Sequence, residues 1–217
     1  RLNMNVRTTI VFSSLALIYL ATLPLTPYVA QFLPKALPIV VLAVFAYTKL
    51  SAMPRYMVLA ALLFSLAGDV SLALPFADSF ITGLACFFVA HLTYAMCFAL
   101  LHRRLQETPG DHIISRKPKW FISIIMISFA VMMAVHILPA SKALFYPVVA
   151  YISVITLMGL TAVWLAQTKL IVTGALFFVI SDAILAQSVF KTPLPLSTFW
   201  VMTTYYGAQY CLTMGLV

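Results

Sequence analysis

The chain has 217 residues, of which 64% are hydrophobic and 8% are charged. A soluble globular domain carries about 25% charged residues, so this composition excludes one. The net charge of +8 does not indicate a nucleic-acid partner, because the basic residues lie between apolar runs, where membrane topology explains them. The apolar runs are continuous over about 20 residues, which is typical of membrane helices and not of a barrel. We therefore predict an all-α, multi-pass integral membrane protein.

The apolar runs predict a polytopic bundle of eight transmembrane helices in a single domain, residues 1–217. In chain order the predicted spans cover about residues 8–23, 35–47, 56–74, 80–101, 120–138, 143–165, 170–190 and 195–217. The first run could also be a signal peptide, but no persuasive cleavage site follows it, so we predict a retained helix. The second run is short for a span and is expected to borrow residues from its flanks.

The distribution of Lys and Arg predicts the orientation of the chain. If both termini are cytoplasmic, the inside segments hold Arg1, Arg7, Lys49, Arg55, Arg103, Arg104, Arg116, Lys117, Lys119 and Lys169. The outside segments then hold Lys35, Lys142 and Lys191. This positive-inside bias favours cytoplasmic termini. The membrane is expected to be the bacterial inner membrane, or the endoplasmic reticulum if the source is a eukaryote.

The longest predicted connection, residues 102–119, is a basic loop. We expect this loop to fix the orientation of the chain in the membrane. The alternative is a surface that binds anionic lipid. The loop also divides the chain into two possible halves, residues 1–101 and 120–217.

Two apolar stretches, residues 62–73 and 175–186, resemble each other weakly, because each has a small residue followed by aspartate inside a hydrophobic run. An ionisable residue at the centre of a membrane helix costs roughly 2.5–3.5 kcal/mol on insertion scales, so Asp69 and Asp182 are predicted to be functional. The two stretches lie four predicted helices apart and therefore point the same way. This arrangement predicts two parallel four-helix halves.

Polar residues on other predicted helices could line one cavity together with the two aspartates. His91 and Tyr94 are three residues apart and share a helix face, and Ser181 directly precedes the second aspartate. Tyr206 and Gln209 lie on a polar stripe of the last helix. Counted from the outer loops, four residues fall in the outer half of their helices, which favours a shared cavity: Asp69, His91, Asp182 and Tyr206. The alternative is that the polar groups only bond one helix to another.

Two buried carboxyls restrict the chemistry that such a cavity could perform. Desolvation favours the neutral form, and two neighbouring carboxyls cannot easily both ionise, so one tends to keep a proton while the other is charged. This pairing suits hydrolysis through an oxocarbenium-like transition state. It equally suits a small proton-coupled membrane transporter, and no nucleophile-elbow, zinc-protease or phosphate-loop motif decides between them. A third alternative is a non-catalytic scaffold whose carboxyls only join helices.

Several motifs resemble those of the YhhN-like lysoplasmalogenases, a family of bacterial and animal membrane proteins. The motifs are Gly68-Asp69, residues 87–94 with Phe98, residues 174–182 and residues 206–209. Lys35 to Pro38 is similar to a lysine-proline element of the family, although the proline here lies three residues after the lysine. The resemblance covers most of the chain, with the motifs in the family's order.

The resemblance implies hydrolysis of the vinyl ether bond of lysoplasmalogens to a fatty aldehyde and glycerophosphoethanolamine or glycerophosphocholine. Our hypothesis is that Asp69 and Asp182 share the roles of acid and base, with His91 and Tyr206 orienting water or the carboxyls. Lys35 is a predicted partner of the head-group phosphate. The other predicted substrate-binding residues are Tyr94, Ser181 and Gln209. The expected partners are a lysophospholipid substrate and the bilayer, and the chemistry requires no metal or cofactor.

Overall fold

The computed structural model describes residues 4–28, 30–107, 116–166 and 168–217, and every element in these ranges is helical, as predicted. The α-helices are α1 (Met4–Thr22), α2 (Phe32–Lys49), α3 (Ala52–Ala73), α4 (Ser79–Glu107), α5 (Arg116–Ser141), α6 (Phe145–Thr161), α7 (Lys169–Phe190) and α8 (Ser197–Leu216). Short 3₁₀ turns at Leu23–Leu25 and Lys142–Leu144 follow α1 and α5. A π-helical turn, Ala162–Ala166, continues α6.

Proline explains two of the helix boundaries. α2 begins at Phe32, earlier than predicted, because Pro34 falls in its first turn, where the missing N–H is tolerated. α3 ends at Ala73, two residues before Pro75, close to the predicted end. The predicted bounds of the basic loop, residues 102–119, are too wide, because α4 runs to Glu107 and α5 begins at Arg116. Residues 108–115 and the side chains of residues 103–107 and 116–117 lie outside the described part of the chain.

Within the described ranges, six stretches are long and apolar enough to cross a membrane. One of them, Pro118–Ala166, runs for 49 residues through both α5 and α6, whereas α8 is not among the six because residues such as Gln209 make it more polar. Large apolar side chains such as Leu17 and Val135 are exposed, which suits contact with lipid. The protein is therefore an integral membrane protein, while eight spans, two parallel halves and cytoplasmic termini stay predictions.

The first compact unit of the chain extends to Ala90 and contains α1, α2, α3 and the N-terminal part of α4. In this unit α2 packs against both α1 and α3. Gly68 of α3 lies against the ring of Phe87 of α4, and a Cβ at this position would be 2.7 Å from the ring. The small residue before Asp69 therefore allows a close approach of α3 and α4.

The second compact unit runs from His91 to Leu216 and contains the rest of α4 together with α5 to α8. Here α7 packs along α8, and α6 packs against α5 and α7. A Cβ on Gly174 of α7 would lie 3.0 Å from the carbonyl oxygen of Ala208 and 2.9 Å from the side chain of Leu212, both on α8. Glycine at this position therefore lets the α7 backbone come close to α8.

Candidate active site

Asp182 lies in α7, and its carboxylate meets side chains from two other helices of the second unit. Its Oδ2 atom accepts a hydrogen bond of 2.5 Å from the hydroxyl of Tyr151 in α6. The same Oδ2 lies 3.2 Å from Nε2 of His91 in α4. Nε2 of His91 and the hydroxyl oxygen of Tyr151 are 3.0 Å apart. These three polar atoms therefore form a closed triangle, with the carboxylate oxygen Oδ2 at one corner.

This triangle determines where the protons lie. The Tyr151 hydroxyl has a single proton and donates it to Asp182, so its oxygen faces His91 as an acceptor. Nε2 of His91 thus faces two oxygen atoms, and it is attracted to both when it carries a hydrogen. We assign the hydrogen to Nε2, so Oδ2 of Asp182 receives two donors.

His91 and Asp182 differ in solvent exposure, and the difference shows which part of the cluster is accessible. His91 is fully buried, with its ring edge-on to the ring of Phe178 at 4.5 Å. The Asp182 side chain is 12% exposed. Its second oxygen, Oδ1, accepts no hydrogen bond from the described residues and is not one of their fully buried polar atoms. The atom of this site that is open to a further partner is therefore Oδ1.

Asp69, in the first unit, has a different partner. Nζ of Lys35 in α2 lies 3.0 Å from Oδ1 of Asp69 and 3.3 Å from its backbone carbonyl oxygen. The lysine side chain is 12% exposed and the aspartate side chain 4%. Tyr19 of α1 is buried and interacts electrostatically with the carboxylate, and Ser65, one turn earlier on α3, is also buried. The cation predicted to meet a phosphate is thus paired with the first predicted catalytic carboxylate.

The structure also places the predicted substrate-binding residues of the second unit. The hydroxyl of Tyr94 donates to Oε1 of Gln209 at 2.7 Å, and both side chains are fully buried. Ser181 is buried as well, and its hydroxyl donates to the carbonyl oxygen of Val201 on α8 at 3.0 Å. Tyr206 is buried beside Tyr205, with ring centroids 5.7 Å apart. Two hydrogen bonds, Tyr94–Gln209 and Ser181–Val201, thus join α8 to neighbouring helices. Contact of the four predicted residues with substrate stays a prediction.

Two of these arrangements, one in each unit, have no clear signal in the sequence. Tyr151 belongs to an ordinary apolar helix and to none of the motifs quoted above, so only a hydroxyl in an apolar run marks it. Lys35 and Asp69 are 34 residues apart, and their pairing depends on how α2 packs against α3. Within the described residues, no group of three or more His, Cys, Asp or Glu side chains is arranged to hold a metal ion.

Comparisons with known proteins agree with the sequence motifs. The chain is 35% identical to lysoplasmalogenase TMEM86B of Homo sapiens over 186 residues, covering 84% of this chain and 74% of that protein. It is 31% identical to lysoplasmalogenase TMEM86B of Sus scrofa over 157 residues, covering 71% and 61%. It is 29% identical to lysoplasmalogenase TMEM86A of Homo sapiens over 166 residues, covering 72% and 63%. This chain thus spans 61% to 74% of the length of these relatives.

No solved structure matches the chain. The model of the YhhN family, in contrast, matches residues 30–216, which is most of the chain. This range contains Lys35, both aspartates and all the motifs on which the resemblance depends, so the resemblance is confirmed. The chain belongs to the YhhN family.

Proposed function

We propose that this protein is a membrane hydrolase that cleaves the vinyl ether bond of a lysoplasmalogen, a lysophospholipid with an alkenyl chain. The products would be a fatty aldehyde and glycerophosphoethanolamine or glycerophosphocholine. The observation that carries the proposal is the carboxyl of Asp182, which has one oxygen held by two donors and one oxygen accessible. The relatives' name, lysoplasmalogenase, supports this choice of substrate.

The first step is proton transfer to carbon. In its acid form, Asp182 donates the proton on Oδ1 to the second carbon of the alkenyl chain, and the π electrons of the double bond form the new C–H bond. The first carbon then becomes an oxocarbenium ion, which is stabilised by its ether oxygen and by the new carboxylate nearby. A positioned acid of this kind contributes typically 10²- to 10⁴-fold to a rate.

The second step returns the proton. A water molecule adds to the first carbon of the oxocarbenium ion and gives a proton to Oδ1 of Asp182, which regenerates the acid. The resulting hemiacetal breaks its bond to the glycerol oxygen, which takes up the hemiacetal proton as the aldehyde leaves. One carboxyl therefore completes the cycle, with water consumed and no net change in the protein.

Three other predicted residues, His91, Lys35 and Asp69, have supporting roles in this mechanism. His91 is buried behind Asp182 and acts through its hydrogen bond to that carboxylate. Lys35 offers a positive charge to the phosphate of the head group, and Asp69 holds the lysine in place through their ion pair. Proton sharing between Asp69 and Asp182, as the motifs predict, stays a prediction. The scheme does not require it.

The experiment that tests this function uses the full chain purified in detergent and follows aldehyde release from a 1-alkenyl lysophosphatidylethanolamine. The matched control substrate is the 1-alkyl analogue, which has the same head group and ether oxygen but no double bond to protonate. We expect aldehyde from the alkenyl lipid and none from the alkyl lipid. The absence of aldehyde with folded protein would reject the proposal, and proton-coupled uptake in vesicles would then test the transporter alternative.

A further inference from the structure

We propose that Tyr151 is a positioning residue that directs the acid proton of Asp182 to the accessible oxygen, Oδ1. The inference rests on the proposed function, since it assigns a role within the same proton transfer. It concerns a residue that belongs to none of the sequence motifs. The contact that carries it is the 2.5 Å hydrogen bond from the Tyr151 hydroxyl to Oδ2 of Asp182.

The lone pairs of the Asp182 carboxyl determine which oxygen can hold the proton. A carboxyl oxygen offers about two acceptor sites, and Oδ2 of Asp182 has two donors close to it, the Tyr151 hydroxyl and Nε2–H of His91. A proton on Oδ2 would face these two donors instead of an acceptor, which is unfavourable. A proton that binds to Asp182 therefore occupies Oδ1. The two donors thus place the acid on the side of the carboxyl that a substrate can reach.

The same hydrogen bond assists the loss of that proton. When Oδ1 releases its proton, negative charge spreads over both oxygens, and a hydrogen bond to a charged acceptor is about twice as strong as one between neutral groups. The Tyr151 hydroxyl is already in place at 2.5 Å, so the stabilisation requires little reorganisation. Tyr151 should therefore act mainly on the chemical step and little on substrate binding.

A purely structural role for Tyr151 is the competing explanation, and α6 offers a matched control. Tyr146 lies on the same helix, five residues earlier, and is 81% exposed. Tyr146→Phe and Tyr151→Phe make the same chemical change and each removes a single oxygen atom. Only Tyr151→Phe removes a donor to Asp182. Size-exclusion chromatography and thermal unfolding in detergent would verify that both variants fold.

The first readout is kinetic. We expect Tyr151→Phe to lower kcat by about 10- to 100-fold, the range for losing one hydrogen bond to a charged group, with KM within about 2-fold of wild type. Tyr146→Phe should leave both constants unchanged. A change in KM alone, or equal effects of the two variants, would overturn the positioning role.

The second readout does not depend on activity. The infrared C=O stretch of the protonated Asp182 carboxyl, identified by its loss in Asp182→Asn, reports hydrogen bonds to the carbonyl oxygen. If Oδ2 is that oxygen, removing the Tyr151 donor should move the band to higher frequency, and Tyr146→Phe should not move it. An unmoved band in Tyr151→Phe would overturn the inference. A shifted band in a protein that releases no aldehyde would uphold the placement of the proton and reject the proposed hydrolysis instead.

Discussion

The two buried aspartates lie in similar local sequences but have different kinds of partner. Each follows a small residue inside an apolar helix, Asp69 in α3 and Asp182 in α7. Asp69 is paired with the ammonium group of Lys35, which is a compact point charge on a flexible stem. Asp182 is held by the imidazole of His91 and the phenol of Tyr151. The chemistry of each carboxyl therefore depends on the side chains that neighbouring helices place beside it, and not on the residues next to it in the sequence.

This difference suggests a division of roles. An ammonium partner balances the charge of a carboxylate inside a membrane helix, where an isolated charge would be costly. Imidazole and phenol groups position a carboxyl by hydrogen bonds and leave its second oxygen available for proton exchange. We therefore assign proton transfer to Asp182 and charge pairing to Asp69. Substitutions at the two carboxyls and at their partners test this assignment.

Removing the acid should have the largest effect. We expect Asp182→Asn to lower kcat by about 1,000-fold or more, because an amide cannot supply the proton that the double bond must receive. Initial rates of aldehyde release measure this directly. The matched control is Asp78→Asn, the same substitution at an exposed position between α3 and α4, which should keep wild-type kcat. A similar loss in both variants would contradict the assignment.

Breaking the ion pair should mainly affect stability. Asp69→Asn leaves the ammonium group of Lys35 largely buried without its charge partner, and such a change costs about 3–5 kcal/mol. Thermal unfolding in detergent should therefore show a clear loss of stability. Adding Lys35→Met to Asp69→Asn removes the second charge and should restore most of the stability. If the double variant is as unstable as the single one, the pair is not the source of the effect.

Removing the lysine should weaken recognition of the head group. In the double variant Lys35→Met/Asp69→Asn, we expect KM to rise by about 10-fold with kcat within a few fold of wild type, because one charge-assisted contact to phosphate is lost. The matched control is Lys191→Met, at an exposed lysine just after α7. Comparing KM of the double variant with that of Asp69→Asn isolates the contribution of Lys35, and Lys191→Met shows the effect of losing an unrelated lysine. An unchanged KM in the double variant would remove Lys35 from substrate binding.

The packing that holds α7 against α8 can be tested at Gly174. A methyl group on Gly174 would lie 3.0 Å from the carbonyl oxygen of Ala208, and backbone cannot easily move away. We expect Gly174→Ala to cost about 1–3 kcal/mol of stability. Gly207→Ala is the control, since the added methyl would meet the ring of Phe177 at 2.9 Å, and that half-exposed side chain can rotate. Equal melting temperatures for the two variants would show that α7 tolerates the contact.

The sequence predicts the helices and part of the site, and the reasons are physical. Continuous apolar runs determine where helices form, and the cost of burying ionisable residues in such runs predicts Asp69, Asp182 and His91 as candidate functional residues. The same reasoning does not identify Tyr151, because tyrosine is common in membrane helices and a single hydroxyl adds little to the free energy of burial. Its role depends on the orientation of α6 relative to α7, which a sequence pattern does not contain. The Lys35–Asp69 pair depends in the same way on packing between two helices.

The assignment of proton transfer to Asp182 alone is tested most directly by one ratio, the kcat of Asp69→Asn divided by the kcat of Asp182→Asn. Both variants would be measured on the fraction that elutes like wild type, with the same 1-alkenyl lysolipid at saturating concentration. We expect a ratio above about 100, because only Asp182 transfers the proton in the proposed mechanism and a positioned acid is worth about 10²- to 10⁴-fold in rate. A ratio near one, with both variants folded and inactive, would contradict it and would favour two carboxyls that share the proton transfer.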